Sequence, residues 1–337
     1  MRIRGHSPIL WRAPGETQIG AEPGHATILS GLTNAEQLLL DRLPEEIRPA
    51  GIYRAARWSR VPLERAREIV RELREIGIID ASPEATDDAD TLYWDRLAVD
   101  AAERSAMLRA SSVGLLGGGN LAREIIRLLV EAGVVTILPD DEALADWAAD
   151  LSPAVRTRAP LDLRPDVVVS LSGHVVDPIR SRDLARAGIT HLPVVVREVS
   201  VRVGPLVAEH SAVCTTCLDL WARDADPCWP ALATQLRLLP APVLERLLLH
   251  QAAALAARAV IDVVTGRGPL WEGRSVELSA ADPAGVERHW RPHPDCLCSR
   301  LAVGPTGTGD ASDAPEAVGD PADADGFSSL ELEAYRP

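Results

Sequence analysis

Four of the five cysteines in this sequence form two closely spaced pairs. Cys214 and Cys217 are separated by two residues, and Cys296 and Cys298 by one. Two such pairs supply four thiolates, which are the ligands of a closed tetrahedral zinc site with no open position for catalysis. The sequence therefore predicts structural zinc, held by pairs that are far apart along the chain. The alternative is four free or disulfide-bonded thiols.

Two neighbouring side chains leave further alternatives open. His293 lies three residues before Cys296 and could replace a thiolate as ligand, or it could be a structural histidine beside the site. Cys228 has no sequence partner and could act as a nucleophile. A lone cysteine between apolar residues is more often buried and inert, which is the interpretation we favour.

A glycine-rich turn is the second feature with chemical potential. Gly117 to Gly119 and Asn120 follow an apolar strand and precede an apolar helical face. Such a turn brings backbone N–H groups to a phosphate at a helix N-terminus. Asp140 has the spacing of an acid that binds a ribose hydroxyl. We assign Gly117, Gly119, Asn120 and Asp140 to a vestigial nucleotide site, although a dinucleotide site or an ATP site has the same local pattern.

The composition limits the class of protein. The chain has 337 residues and a net charge of −14, and all of its basic side chains are arginine or histidine because it contains no lysine. Its length suits two domains, and its charge argues against a general nucleic-acid binder. We expect a cytoplasmic protein without a membrane span, since no signal-peptide core or long uncharged run is present. Reducing conditions there favour metal binding over disulfides.

The pattern predicts an α/β protein of two domains and a tail. Residues 1–100 show short apolar strands, the capping box Thr33–Glu36 and three helices. Strand pairing between 78–79 and 92–94 would then complete a two-stranded wing, which predicts a winged-helix domain. Residues 108–303 alternate strands with helices, as in a Rossmann-like sheet. Residues 304–337 are acidic and poor in apolar groups, which predicts a disordered tail.

The winged helix could bind DNA, bind a peptide, or present only a charged surface. Carboxylates alternate with arginines on the third helix, and Glu84, Asp87, Asp88 and Asp90 follow in the wing. They would repel phosphates, so we expect no DNA partner. A peptide could instead extend the sheet at its edge and pack on the third helix. The residues that we assign to this peptide site are Thr27, Leu29, Ser30, Arg67, Arg71 and Arg74.

A long helix over about 242–264 carries an alanine run at 252–257. Small side chains permit close helix packing, either inside the core or across a dimer interface. Both interpretations remain open from the sequence.

The glycine turn, Asp140 and the split cysteine pairs together resemble the ThiF/MoeB family of adenylating enzymes. One branch is more similar still: the ThiF-like cyclodehydratase-partner proteins of thiazole/oxazole-modified (bacteriocin-type) peptide biosynthesis. The resemblance covers roughly 7–303, and its most specific segments are Arg202–Leu206, Cys214–Trp221, Asp226–Pro230 and His293–Cys298. It implies a winged-helix clamp for the leader of a precursor peptide, a YcaO-type cyclodehydratase as partner, and a homodimer.

Departures from the adenylating pattern suggest that catalysis is lost. Asn120 and Ala122 replace two of the family's glycines, and no lysine is available for the phosphates. The magnesium-binding aspartate of the family aligns with Gly173. Adenylation needs cations to neutralise developing charge, so we expect that ATP is not used and that no residue is catalytic. Arg180 or Arg182 could substitute, but a surface role is the simpler interpretation.

We therefore predict a non-catalytic protein that binds a leader peptide and serves as a scaffold for a YcaO-type cyclodehydratase. The alternative is an active ATP-dependent adenylyltransferase that activates a carboxyl terminus. A DNA-binding regulator and a dinucleotide-dependent oxidoreductase are two further classes, and the oxidoreductase does not explain the four cysteines.

Overall fold

The computed structural model describes residues 1–44, 46–80, 88–97, 99–160, 163–209 and 211–298. The wing acids Glu84 and Asp87 and the tail over 304–337 lie outside these residues. Within them, the chain forms a mixed α/β structure with three sheets of two, three and seven strands.

Strands and helices are numbered in chain order. The strands are β1 (Arg2–Ile3), β2 (Ile9–Ala13), β3 (Glu16–Ile19), β4 (Thr27–Ser30), β5 (Ile79–Asp80), β6 (Ser112–Leu116), β7 (Thr136–Pro139), β8 (Val167–Gly173), β9 (His191–Val196), β10 (Ser200–Val203), β11 (Arg274–Ser279) and β12 (Val286–His289). The helices are α1 (Asn34–Asp41), α2 (Pro49–Ser59), α3 (Leu63–Glu75), α4 (Ala89–Arg96), α5 (Ala101–Ala110), α6 (Asn120–Glu131), α7 (Glu142–Leu151), α8 (Pro178–Arg186), α9 (Thr215–Ala225), α10 (Trp229–Leu236) and α11 (Arg246–Asp262). Shorter helical turns occupy Arg4–His6, Val263–Arg267 and Gly268–Trp271.

The seven-stranded sheet has the order β12-β11-β10-β9-β8-β6-β7. Strands β7, β6, β8 and β9 are parallel, as the alternation of strands and helices predicts. Strands β10, β11 and β12 extend the sheet in antiparallel fashion, which the sequence pattern did not reveal. The parallel strands are buried, and their carboxyl ends carry the glycine turn after β6 and Asp140 after β7.

Helices α6 and α11 pack together in the main hydrophobic core. Ala252, Ala253, Ala256 and Ala257 are buried there, so the alanine run serves packing within the chain. The segment Arg246–Trp271 is long and apolar enough to cross a membrane by length and composition alone, but half of its most apolar window is buried in the protein. The core packing of α11 accounts for this apolar character.

A separate core joins the N-terminal strands to α1, α2 and α3. The predicted antiparallel strands are present as the sheet β2-β3-β4. Thr33 accepts from the Glu36 backbone N–H, and the Glu36 carboxylate accepts from the Thr33 N–H, which confirms the predicted capping box at the start of α1.

The prediction of a strand at 92–94 is wrong. These residues lie in α4, which begins after the N-cap Asp88, whose carboxylate accepts from the Thr91 backbone N–H. Strand β5 pairs instead with β1 at the N-terminus. An N-cap acid makes helix the better local structure here, and Asp90 also belongs to that helix rather than to a wing.

Glu124 joins α6 to α11 through a pH-sensitive contact. Its carboxylate accepts from Arg127 and lies 2.9 Å from the His250 Nδ1 atom. Hydrogen bonding from Arg127, aided by His250, lowers the pKa of Glu124 to about 2. Because this folded-state pKa lies below the unfolded value, the stabilisation is present above about pH 4.5 and is lost as the pH falls toward 2.

We therefore expect Glu124→Gln to lower the free energy of unfolding by about 1 to 2 kcal/mol near neutral pH. The deficit should shrink as the pH falls from about 4.5 toward 2, because the wild type loses the same interaction. Thermal unfolding midpoints across this pH range would measure it. Glu103→Gln, at an exposed site on α5, is the matched control. A deficit for Glu124→Gln that does not change with pH would contradict the assignment.

Candidate functional site

The four paired cysteines converge on one point. Their Sγ atoms all lie within 4.8 Å of one another. Cys214 lies 3.6 Å from Cys296, and Cys217 lies 3.2 Å from Cys298, sulfur to sulfur. Tetrahedral ligation with metal–sulfur bonds of about 2.3 Å places sulfurs roughly 3.8 Å apart, which is close to this arrangement. The cluster can therefore hold a metal ion.

Helix α9 positions the first pair. Cys214 is its N-cap residue, and Cys217 lies one turn later, where its N–H donates to the Cys214 carbonyl at 3.0 Å. The second pair follows β12, and the Cys296 N–H donates to the His293 carbonyl at 2.9 Å. A small apolar cluster that includes Val213 surrounds the thiols and limits the access of water.

The thiols cannot all ionise without a cation. Burial raises the pKa of Cys296 to about 11 and also raises the pKa of Cys298. Although burial disfavours the Cys217 thiolate as well, backbone hydrogen bonds from His293 and Cys214 hold the pKa of Cys217 below its usual value. A bound metal ion would replace these protons and stabilise four thiolates.

His293 supports the cluster rather than completing it. The side chain is 1% exposed, its Nε2 atom lies 2.8 Å from the Asp224 carboxylate, and its Nδ1 atom accepts from the Asp295 N–H. With both ring nitrogens occupied, His293 has no free lone pair for a metal. Its backbone N–H points to the Cys217 sulfur at 3.4 Å. Sequence reasoning missed Asp224, which lies two turns after Cys217 on the same helix.

Cys228 is separate from this cluster and exposed at the start of α10. The expectation that it is buried is wrong, because α10 lies near the surface at this end. No catalytic partner of its thiol is present among the described residues.

The glycine turn has the backbone shape of a phosphate loop. Gly117 and Gly119 have φ angles of 100° and 88°, which favour glycine, and Asn120 begins α6. A side chain at Gly118 or Gly119 would meet open space. Asp140 does not face this space freely, because its Oδ1 atom accepts from the Gly117 N–H at 3.0 Å. The structure thus brings the four predicted nucleotide-site residues to one sheet edge.

Gly117 and Gly118 provide a matched pair of tests for this turn. A Cβ atom at Gly117 would lie 3.1 Å from both the Leu171 Cβ atom and the Leu171 carbonyl oxygen, whereas one at Gly118 would touch nothing. We expect Gly117→Ala to lower the free energy of unfolding by about 2 to 4 kcal/mol, from left-handed strain plus crowding. Gly118→Ala should change it by less than about 0.5 kcal/mol. Chemical denaturation would measure both, and equal effects would contradict this account.

The carboxyl end of β8 is covered by the chain itself. A Cβ atom at Gly173 would lie 2.8 Å from the Ala241 Cα atom. Beside it, the His174 Nε2 atom lies 3.1 Å from the Pro240 carbonyl oxygen. The segment between α10 and α11 therefore packs directly against Gly173 at the end of this strand.

The predicted peptide-site residues lie on two elements of the N-terminal unit. Strand β4 pairs with β3 on one side, and within the described residues no strand pairs with its other side. The carboxylates of α3 hold two of its arginines, since Arg67 pairs with Glu64 and Arg71 with Glu68. Arg74 is exposed at the end of that helix. The structure thus leaves β4 available for an extended partner.

Neither a protein-family model nor a curated protein sequence matches this chain. Solved structures share its fold. E. coli MccB with AMPCPP and MccA is 14% identical, with a TM-score of 0.62 over 89% of this chain and 100% of that one. E. coli MccB with ATP is 14% identical, with a TM-score of 0.60 over 87% and 98%.

A heterocyclase in complex with substrate and cofactor is also similar. Its identity is 16% and its TM-score is 0.63 over 86% of this chain, but the aligned part is only 38% of the longer heterocyclase chain. These likenesses include the N-terminal unit as well as the large sheet, because each covers well over four fifths of this chain. At these identities they establish the fold.

Proposed function

From the ThiF-like fold that this chain shares with peptide-modification proteins, we propose that it is a non-catalytic leader-peptide-binding protein. It would serve as the scaffold for a YcaO-type cyclodehydratase in azole or azoline peptide biosynthesis. The observation that carries this proposal is the close packing of Ala241 on Gly173, the residue that the family resemblance aligns with a magnesium-binding aspartate. The chain also lacks lysine, so no ammonium group is available to neutralise transferring phosphates.

Peptide binding is supported by the N-terminal unit. Within the described residues strand β4 has no partner strand on one side, and such an edge accepts an extended segment by strand addition. Main-chain hydrogen bonds would supply affinity, and α3 would supply side-chain selectivity. One of the MccB structures contains MccA, and the heterocyclase structure contains its substrate. We assign residues 1–100 to this function as a winged-helix domain of the peptide-clamp type.

Zinc is the metal that we assign to the four-cysteine cluster. Four thiolates in a tetrahedral arrangement are typical of structural zinc, and no ligand position remains for substrate. The ion would join α9 to the segment after β12 and so complete the unit over 108–303. Cysteines that bind a metal instead of forming disulfides fit a cytoplasmic protein.

A partner enzyme requires a docking surface. The segment that covers Gly173 presents Leu238 and Val243 to solvent, 84% and 94% exposed, and Leu247 follows at 71%. Contiguous exposed apolar side chains mark interaction surfaces. We assign this surface to the YcaO-type partner, and the homodimer remains a separate proposal that measurement of the molar mass in solution would test.

Hydrogen–deuterium exchange would test peptide binding directly. We expect candidate precursor peptides encoded beside the gene to slow exchange of the Thr27–Ser30 amides by about tenfold or more, because strand addition occupies the free edge. The Glu16–Ile19 amides already lie between two strands and serve as the internal control. Binding that protects other segments but leaves Thr27–Ser30 unchanged would contradict this peptide site.

An active adenylyltransferase is the second candidate. It is favoured by the open glycine turn and by the MccB structures that contain ATP or AMPCPP. Pyrophosphate exchange that depends on a peptide would support this function and overturn the scaffold proposal.

A further inference from the structure

A cavity of about 440 Å³ lies where helices α4 and α5 meet α6 and α11. Its walls include Trp94, Leu108 and Ile261 as apolar groups and Arg104, Arg109 and Arg258 as cationic groups. The volume suits a small molecule. The cavity lies at the carboxyl end of α6, whereas the glycine turn lies at its amino end, and neither proposed function uses the cavity.

Arg104 is the unusual member of this cavity. The residue is only 8% exposed, and its guanidinium carbon lies 3.9 Å from the centroid of the Trp94 ring. Its Nη1 atom is fully buried and has no hydrogen-bond partner among the described residues. A buried guanidinium nitrogen without an acceptor is costly, and the same residue is one of those that line the cavity.

A second cation, the guanidinium group of Arg258, also lies near the Trp94 indole. The guanidinium carbon of Arg258 is 5.4 Å from the Trp94 ring centroid. Burial, followed by repulsion from Arg258, lowers the pKa of Arg104. Two guanidinium groups near one aromatic ring therefore concentrate positive charge at this half-open cavity.

The acidic groups around the cavity are largely engaged elsewhere. Asp262 accepts from Trp271 and faces Arg267, and the Asp88 carboxylate caps α4. Glu131 pairs with Arg127 on its own helix. Asp90 also lines the cavity, and its electrostatic attraction to Arg104 is weaker than that of Asp262. None of these carboxylates hydrogen-bonds to Arg104 in the part of the chain that the structure describes.

We propose that this cavity binds a small organic oxyanion, a carboxylate or phosphate carried on a flat apolar group. The oxyanion would accept from Arg104 and Arg258, since the guanidinium fork matches two oxygens of either group. The apolar part would lie against Trp94, Leu108 and Ile261. Because α4 and α5 join the N-terminal unit to the large sheet, an occupied cavity would fasten the two together.

Fluorine NMR on the full-length, zinc-loaded protein tests this assignment. The probes are 4-fluorobenzoate, 4-fluorophenyl phosphate and the neutral 4-fluorobenzamide. We expect at least one anion to bind at least about tenfold more tightly than the amide, because each charge-assisted hydrogen bond is lost with the charge. The anion that binds more tightly identifies the oxyanion. Equal binding of the amide, or no binding of either anion, would overturn the proposal.

Substitutions locate the binding within the cavity. Arg104→Gln and Arg258→Gln should each weaken anion binding by about tenfold or more. Arg186→Gln, at an exposed arginine on α8, should leave it unchanged. Circular dichroism would establish that each variant is folded, and Arg258→Gln decides the matter if Arg104→Gln does not fold. Wild-type affinity in the folded variants would refute the cavity as the binding site.

Discussion

Replacing Cys217 with serine should release the metal and unfold much of the carboxyl-terminal half of the protein. The Cys217 sulfur lies 3.9 Å or less from two of the other thiols and is fully buried. A serine hydroxyl does not ionise near neutral pH and is a poor zinc ligand. Structural zinc contributes on the order of 10 kcal/mol of folding free energy, so we expect a loss of about 5 kcal/mol or more.

Two measurements check this expectation. Elemental analysis of purified protein should find one zinc ion per wild-type chain and less than about a tenth of that in the variant. A chelator added to the wild type should reproduce the loss of thermal stability, and added zinc should reverse it. Cys228→Ser is the matched control because its exposed thiol lies apart from the cluster. A metal-free wild type of unchanged stability would refute the zinc assignment.

Mg-ATP at millimolar concentration should leave the thermal unfolding midpoint of the zinc-loaded protein unchanged. Ligand binding at a hundred times Kd would stabilise the folded state by about 2.7 kcal/mol, which is readily measured. We expect no such shift, because Ala241 covers the carboxyl end of β8 at Gly173 and Asp140 already holds the Gly117 N–H. Micromolar affinity in a calorimetric titration would instead direct attention to adenylation.

An aspartate introduced at Gly173 should not produce adenylation activity. An aspartate at Gly173 would have to displace the Ala241 backbone, whose Cα atom lies 2.8 Å from the new Cβ position. We expect Gly173→Asp to lower the free energy of unfolding by about 2 to 4 kcal/mol and to show no pyrophosphate exchange. Gly118→Ala controls for a glycine substitution at the same sheet edge. Pyrophosphate exchange by the Gly173→Asp variant would contradict this expectation and would mean that a single residue determines whether the protein is catalytic.

Local signals in the sequence were sufficient for several features. The capping box at Thr33 and Glu36 needs only four consecutive residues, and its prediction is confirmed. The convergence of the four cysteines in space was also predictable, because each pair supplies two of the four ligands of a four-thiolate metal site. The parallel part of the large sheet followed from apolar strands that alternate with helices.

Features that depend on tertiary contacts were not predictable in this way. Leu92–Trp94 has strand-like composition, but the Asp88 cap and the packing of Arg104 on Trp94 stabilise a helix. A long segment over 204–273 separates β10 from β11 and hides their antiparallel pairing. The cover over Gly173 depends on where the segment after α10 lies, and no spacing rule specifies that position.

The separation of the two cysteine pairs affects how the protein is made. Cys298 is synthesised 81 residues after Cys217. At about 5 to 20 residues per second, the first pair waits roughly 4 to 16 s on the ribosome with only half of its ligands. During that interval its thiols are open to oxidation and can hold metal only weakly. Cells short of zinc or under oxidative stress during synthesis should therefore accumulate misfolded newly made chains, while mature protein in the same cells stays intact.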